Sequence, residues 1–147
     1  MFIQKPLKSY YMNMCTAFTQ INWLAVIVAT VAAFLVGFLW YSILFSKAWQ
    51  KEIKMSDDEM KSANMPLIFG SAFILNLVAA IVLAMFLGRH AGLAMGLMAS
   101  LMVAIAWIGT ALGTNYLFAR KSLRLFFIDA GYYVVYYAVM GIILGIW

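Results

Sequence analysis

Asp129 is the only acidic residue of this chain set inside an apolar run. It lies in Leu125-Phe126-Phe127-Ile128-Asp129-Ala130-Gly131-Tyr132, five positions after Arg124. That spacing is about 7.5 Å along a helix. A carboxylate in such company accepts hydrogen bonds, holds a cation or carries a proton. Two readings stand on the sequence. In one, Asp129 pairs with Arg120, Lys121, Arg124 or a neighbouring hydroxyl and fixes helix packing. In the other it is a proton or cation site. Downstream, Tyr132, Tyr133, Tyr136 and Tyr137 make two i,i+4 pairs, and Asp129, Tyr132, Tyr136 and Met140 fall near one helix face. A hydroxyl ladder rising from a carboxylate would conduct protons or line a small-ligand cavity. The plainer reading is four packing residues with satisfied hydroxyls.

Other polar groups fall at the same level. Trp40, Tyr41 and Ser42 close one apolar run, and Thr114, Asn115 and Tyr116 close another. The candidate polar cluster is therefore Asp129, Tyr132, Tyr133, Tyr136, Trp40, Tyr41 and Asn115. Facing inward, these groups would form a pocket. Facing outward, Trp40 and Tyr41 would be an ordinary aromatic belt. Asn76 is expected to bond between helices, and His90 to be solvated. Two runs echo each other weakly: Tyr41-Ser42-Ile43-Leu44-Phe45 and Tyr116-Leu117-Phe118 each end just before basic residues.

No catalytic signature accompanies these groups. The chain has no Ser/His/Asp set, HExxH, Gly-rich phosphate loop or His/Cys cluster, so the expectation is a protein that is not an enzyme, with no cofactor and no metal. The lone Cys15 excludes an intramolecular disulfide and a CxxC redox pair.

The elements that position these residues follow from composition. Of 147 residues, 67% are hydrophobic and only 10% charged, against about 25% charged in an ordinary soluble domain. One small core could not hide that much apolar surface; a bilayer removes the need. Four apolar runs, 21–45, 66–87, 92–118 and 123–147, contain 22 to 27 residues each. At about 1.5 Å per residue each exceeds a ~30 Å hydrocarbon core. An open sheet edge cannot be satisfied in lipid, and strand alternation is absent, so the fold class is all-α: a four-helix transmembrane bundle. Residues 1–20 read as a leader outside the membrane fold, and 21–147 as one four-span domain with a loop at 46–65. The first run is too long for a cleaved signal peptide.

Charge supplies orientation. The net charge is +5, but the cations sit in short gaps between apolar runs, which argues against nucleic-acid binding. Lys47, Lys51, Lys54, Lys61, Arg120, Lys121 and Arg124 fall in loops one and three; Lys5, Lys8 and Arg89 fall on the other side. Positive-inside logic places loops one and three in the cytoplasm and both termini outside. Within loop one, Ser56 and Glu59 have capping-box spacing, and Trp49 and Ile53 alternate with lysines as in a segment resting on headgroups.

Small residues recur every fourth position. The ridges include Ala29, Ala33 and Gly37, then Ala80, Ala84 and Gly88, then Gly92, Gly96 and Ser100, with Gly141 and Gly145 in the last span. Close backbone approach along such ridges holds helices together in lipid. Four helices cannot use every ridge within one monomer, so self-association into a homo-oligomer is expected.

Several stretches resemble a known family. Ile21-Asn22-Trp23-Leu24-Ala25-Val26, Gly37-Phe38-Leu39-Trp40-Tyr41-Ser42 with Phe45, Lys47 and Trp49, and the segment from Asn115 through Asp129 to Trp147 are similar to small bacterial membrane proteins catalogued as domain of unknown function 1761. The resemblance implies a four-span inner-membrane protein and supplies no activity. Ser122 and Tyr133 depart from it, standing where Pro and His are common. Two functions are expected: a small channel or transporter for protons, cations or a small solute, or a non-catalytic accessory subunit of a larger membrane complex.

Overall fold

The computed structural model describes residues 14–147, with side chains described from Ala17. Helix α1, Met14–Gln20, precedes the first span, which joins helix α2, Trp23–Leu39, to a π-helical turn, Trp40–Leu44. Two short helices follow, α3 at Ser46–Ile53 and α4 at Asp57–Ser62. The second span is α5, Met65–Leu87. The third comprises α6 (Gly92–Met102), a π-helical stretch (Val103–Gly109) and α7 (Thr110–Phe118). The fourth is α8, Leu123–Ile146. Trp23–Leu44, Met65–Leu87, Gly92–Phe118 and Leu123–Ile146 are each long and apolar enough to cross a membrane. No strand occurs among the described residues. Lys5 and Lys8 lie outside them.

Local chemistry sets the span boundaries. Asn22 accepts from the amides of Leu24 (3.1 Å) and Ala25 (3.2 Å), and Asn64 from Leu67 (3.2 Å). Ser122 accepts from Leu125 at 3.1 Å. Each satisfies amides that a helix leaves unpaired at its start. Pro66 falls in the first turn of α5, where its missing N–H costs nothing. At the far end of α5, Gly88 adopts φ +70°, which a side chain would resist. In the loop, Ser56 and Glu59 close the expected capping box.

The spans pack in the order two, one, four, three, with α8 against both α2 and α6, and α2 against α5. Ala25, Val26, Ala29 and Ala33 of α2, Ala80 and Ala84 of α5, and Tyr136 and Met140 of α8 form the main core. The seam between α6 and α8 is closer still. A Cβ on Gly145 would lie 2.8 Å from the Gly92 carbonyl oxygen, and one on Gly141 would collide with the Gly96 carbonyl and the Ser100 hydroxyl. Thr30 and Ser100, both fully buried, turn their hydroxyls back onto their own helices, to Val26 O (2.8 Å) and Gly96 O (2.6 Å). The interior at that level needs no polar link between helices.

Much of the small-residue pattern is used inside one copy of the chain. Ala25, Ala29, Ala33, Ala80, Ala84, Gly96, Ser100 and Gly141 are all buried inside one copy of the chain. A four-helix bundle absorbs three ridges because α8 has two packed sides. Much of what remains outward is large and apolar, with Leu75 68% and Phe127 69% exposed. Lipid is the solvent that tolerates such faces.

Candidate functional site

The polar ends of spans one, three and four converge. Tyr41 donates its hydroxyl to one Asp129 oxygen at 2.7 Å, and Tyr116 donates to the other at 2.6 Å. Both are short, well-formed O–H···O hydrogen bonds. Asp129 is 7% exposed. Its partners are hydroxyls, not the cations of loop three: Arg124 pairs with Glu52 at 3.9 Å. The expectation of a partner for Asp129 is met by tyrosines from two other spans.

The π-helical turn makes this possible. Phe45 N bonds to Trp40 O at 2.8 Å, five residues back, which widens the turn and redirects its side chains. Trp40 then lies over Gly131, where an added Cβ would be 3.3 Å from its ring, and donates Nε1–H to Ile128 O at 3.0 Å. One turn of span one thus anchors twice on α8, through Trp40 and Tyr41. Trp40 turns inward rather than joining an outer aromatic belt.

Beside the carboxylate lies a cavity of about 620 Å³. Its walls come from all four spans and the loop, and include Phe34, Tyr41, Trp49, Tyr116, Asp129 and Tyr132. Tyr41 meets Trp49 edge-on at 5.3 Å and Tyr132 at 5.1 Å between ring centroids. Gly37 has the room that Tyr132 requires, since an added Cβ would sit 3.2 Å from its hydroxyl. A second cavity, about 480 Å³, shares Ala72, Asn76, Tyr132 and Tyr133 with the first and continues along Tyr136 and Tyr137. There Tyr136 donates to Asn76 Oδ1 at 3.1 Å, an interhelical bond of the kind expected for Asn76. At the opposite end, the cavity lined by Asn22, Arg89 and Trp147 measures only about 20 Å³.

Loop one covers the site and is fastened to span four. Glu52 of α3 accepts from the Ser122 hydroxyl as well as pairing with Arg124. Trp49 and Ile53, expected on the headgroups, are cavity walls instead. In α4, the Ser56 amide and hydroxyl hold the Glu59 carboxyl below its ordinary pKa of 4.5.

Six of the seven candidate polar residues gather here; Asn115 does not. It is exposed, one position and about 100° of helix turn away from Tyr116, which carries the contact. The echo between the two Tyr-led runs was the signal for Tyr116, because its two tyrosines are the two donors to Asp129. Nothing in spacing marked Phe34 or Glu52.

The sequence profile of the family described as protein of unknown function (DUF1761) matches residues 24–145. The chain belongs to that family. The matched region contains all four spans save their outermost residues, and so contains Asp129, Tyr41 and Tyr116. No curated protein and no solved structure matches the chain. The four long apolar helices support a multi-pass membrane protein, and DUF1761 membership leaves its activity to be argued from the site.

Proposed function

We propose that this protein is a small transporter whose solute site is the cavity beside Asp129. The carrying observation is the clamp itself: a buried carboxylate, held by hydroxyls from two other spans, forms the wall of a cavity large enough for a small molecule. Intramembrane carboxylates are costly, and a purely structural one does not need a cavity beside it. The cavity opens near the basic loops, while the other end is nearly filled. With loops one and three cytoplasmic by the positive-inside rule, the site faces inward in a plasma membrane. No His, Cys or second carboxylate lines the cavity beside Asp129, so the reading is transport without catalysis, with no cofactor and no metal.

Purified protein in proteoliposomes tests this, with solid-supported-membrane currents recorded for protons, monovalent cations and small organic solutes. Asp129→Asn abolishes the flux of the transported species. Absence of flux for every solute, or equal flux through the Asn variant, sinks the proposal.

A groove of about 630 Å³ favours a second reading. Small residues Gly109, Thr110, Gly113 and Thr114 face Phe126 and Phe127 across it, between spans three and four. A helix from a larger complex or from a second copy would fit such a groove, making the protein an accessory or self-associating subunit. Mild detergent extraction that yields a fixed-ratio partner supports it; a clean monomer counts against it.

A further inference from the structure

We infer that the Asp129 cavity takes an organic cation, an ammonium or phosphonium carrying apolar groups, which rests on the transport reading above. The argument begins with charge. Both Asp129 oxygens accept hydroxyl hydrogen bonds, no cationic side chain is paired with them, and the one ion pair among the described residues, Arg124–Glu52, lies elsewhere. A buried negative charge without a counter-ion repels carboxylates and phosphates and attracts cations.

Donor chemistry then narrows the cation. A divalent metal ion requires about six oxygen or nitrogen ligands, and no group of three His, Cys, Asp or Glu side chains occurs among the described residues. The hydroxyls nearest the carboxylate point their protons at it, so they offer a metal little. A proton alone has no need of about 620 Å³. What surrounds the charge is aromatic: Tyr41, Trp49, Tyr132 and Tyr133 all line the cavity, with Tyr132 and Tyr133 5.1 Å apart. Aromatic faces and edges around a carboxylate suit a weakly hydrated organic cation, which gains cation–π attraction and loses little solvation. The access route agrees. Phe38 and Ile68 line the cavity yet are 48% and 50% exposed on the bundle surface, so it reaches the side from which lipid-soluble cations arrive.

The test compares three probes of similar shape on the detergent-purified protein, by calorimetry and tryptophan quenching. They are tetraphenylphosphonium (cation), tetraphenylborate (anion) and triphenylphosphine oxide (neutral). The cation is expected to bind at least tenfold tighter than the other two. Asp129→Asn removes that preference, and Trp49→Leu, outside the spans, weakens the cation about fivefold. Ala72→Phe, which fills the cavity, abolishes all binding. Preference for the anion or neutral probe, or a cation affinity unchanged in Trp49→Leu, overturns the inference. If in that case binding still disappears in Ala72→Phe, the cavity remains a solute site for another class. If no probe binds, the inference fails, and the transport reading then rests on the flux measurements alone.

Discussion

Tyr41 and Asp129 stand 88 positions apart in the chain and 2.7 Å apart in space. With Tyr116 on the other carboxylate oxygen, the pair ties three spans to one charge. Removing either hydroxyl leaves a buried carboxyl oxygen short of a donor. Tyr41→Phe or Tyr116→Phe is expected to cost about 1–2 kcal/mol, since hydrogen bonds within membranes seldom exceed that. The double variant should cost more than the two singles together, because they share one acceptor. Reversible unfolding in mixed micelles measures all three.

Glycines at the α6–α8 seam should tolerate nothing larger. Gly141→Ala drives a methyl group into the Gly96 carbonyl and the Ser100 hydroxyl, so a loss of about 3 kcal/mol is expected. Gly70, with open space around its Cβ position, is the contrast: Gly70→Ala should stay within about 1 kcal/mol of the parent. The same micelle unfolding assay compares the two.

Acid should loosen α4 first. Glu59 has a depressed pKa in the folded loop, so the stability it lends is present above the unfolded value, near 4.5, and is lost as pH falls through the lower folded value. Carbon-detected NMR should find Glu59 titrating below 4.5, and Ser56→Ala should move it back up towards 4.5. A Glu59 that titrates at 4.5 in the parent would contradict the capping geometry.

Glu52 holds the loop down. Glu52→Ala removes both its Ser122 and Arg124 contacts and should speed amide exchange throughout Ser46–Ile53. Global stability should fall by less than about 1 kcal/mol, as Arg124 is largely solvent-exposed and the pair is screened. Hydrogen exchange with mass spectrometry reads the local effect, and unfolding the global one.

Sidedness is open to direct labelling. With Cys15 replaced by Ser, Lys51→Cys and Lys121→Cys should react with an impermeant maleimide only after the membrane is opened, and Arg89→Cys in intact cells. The contact between Glu52 and Ser122 already requires loops one and three to share a side. Labelling of Lys51→Cys in intact cells would invert the orientation.

The four spans were legible to within about two residues, because the apolar runs end where polar and charged residues begin, and that needs no tertiary contact. The direction each helix faces was less so. Asn115 and Tyr116 are equally plausible at the end of a span, and only packing decides which turns inward. The π-helical turn at Trp40–Leu44 has no compositional mark; it exists because Trp40 and Tyr41 both find partners on α8. That α8 packs on two sides at once, against α2 and α6, is likewise something no single-helix pattern reveals.

The arrangement of polar groups also bears on how the chain is made. Thr30 of span one and Ser100 of span three bond within their own helices, so these buried hydroxyls enter lipid already satisfied. Span four alone carries a carboxylate, which an isolated helix would insert at a cost of up to about 3 kcal/mol. It is the last of the four to leave the ribosome, when Tyr41 and Tyr116 are already in place. Chain order thus ensures that the costly group is never the one left waiting.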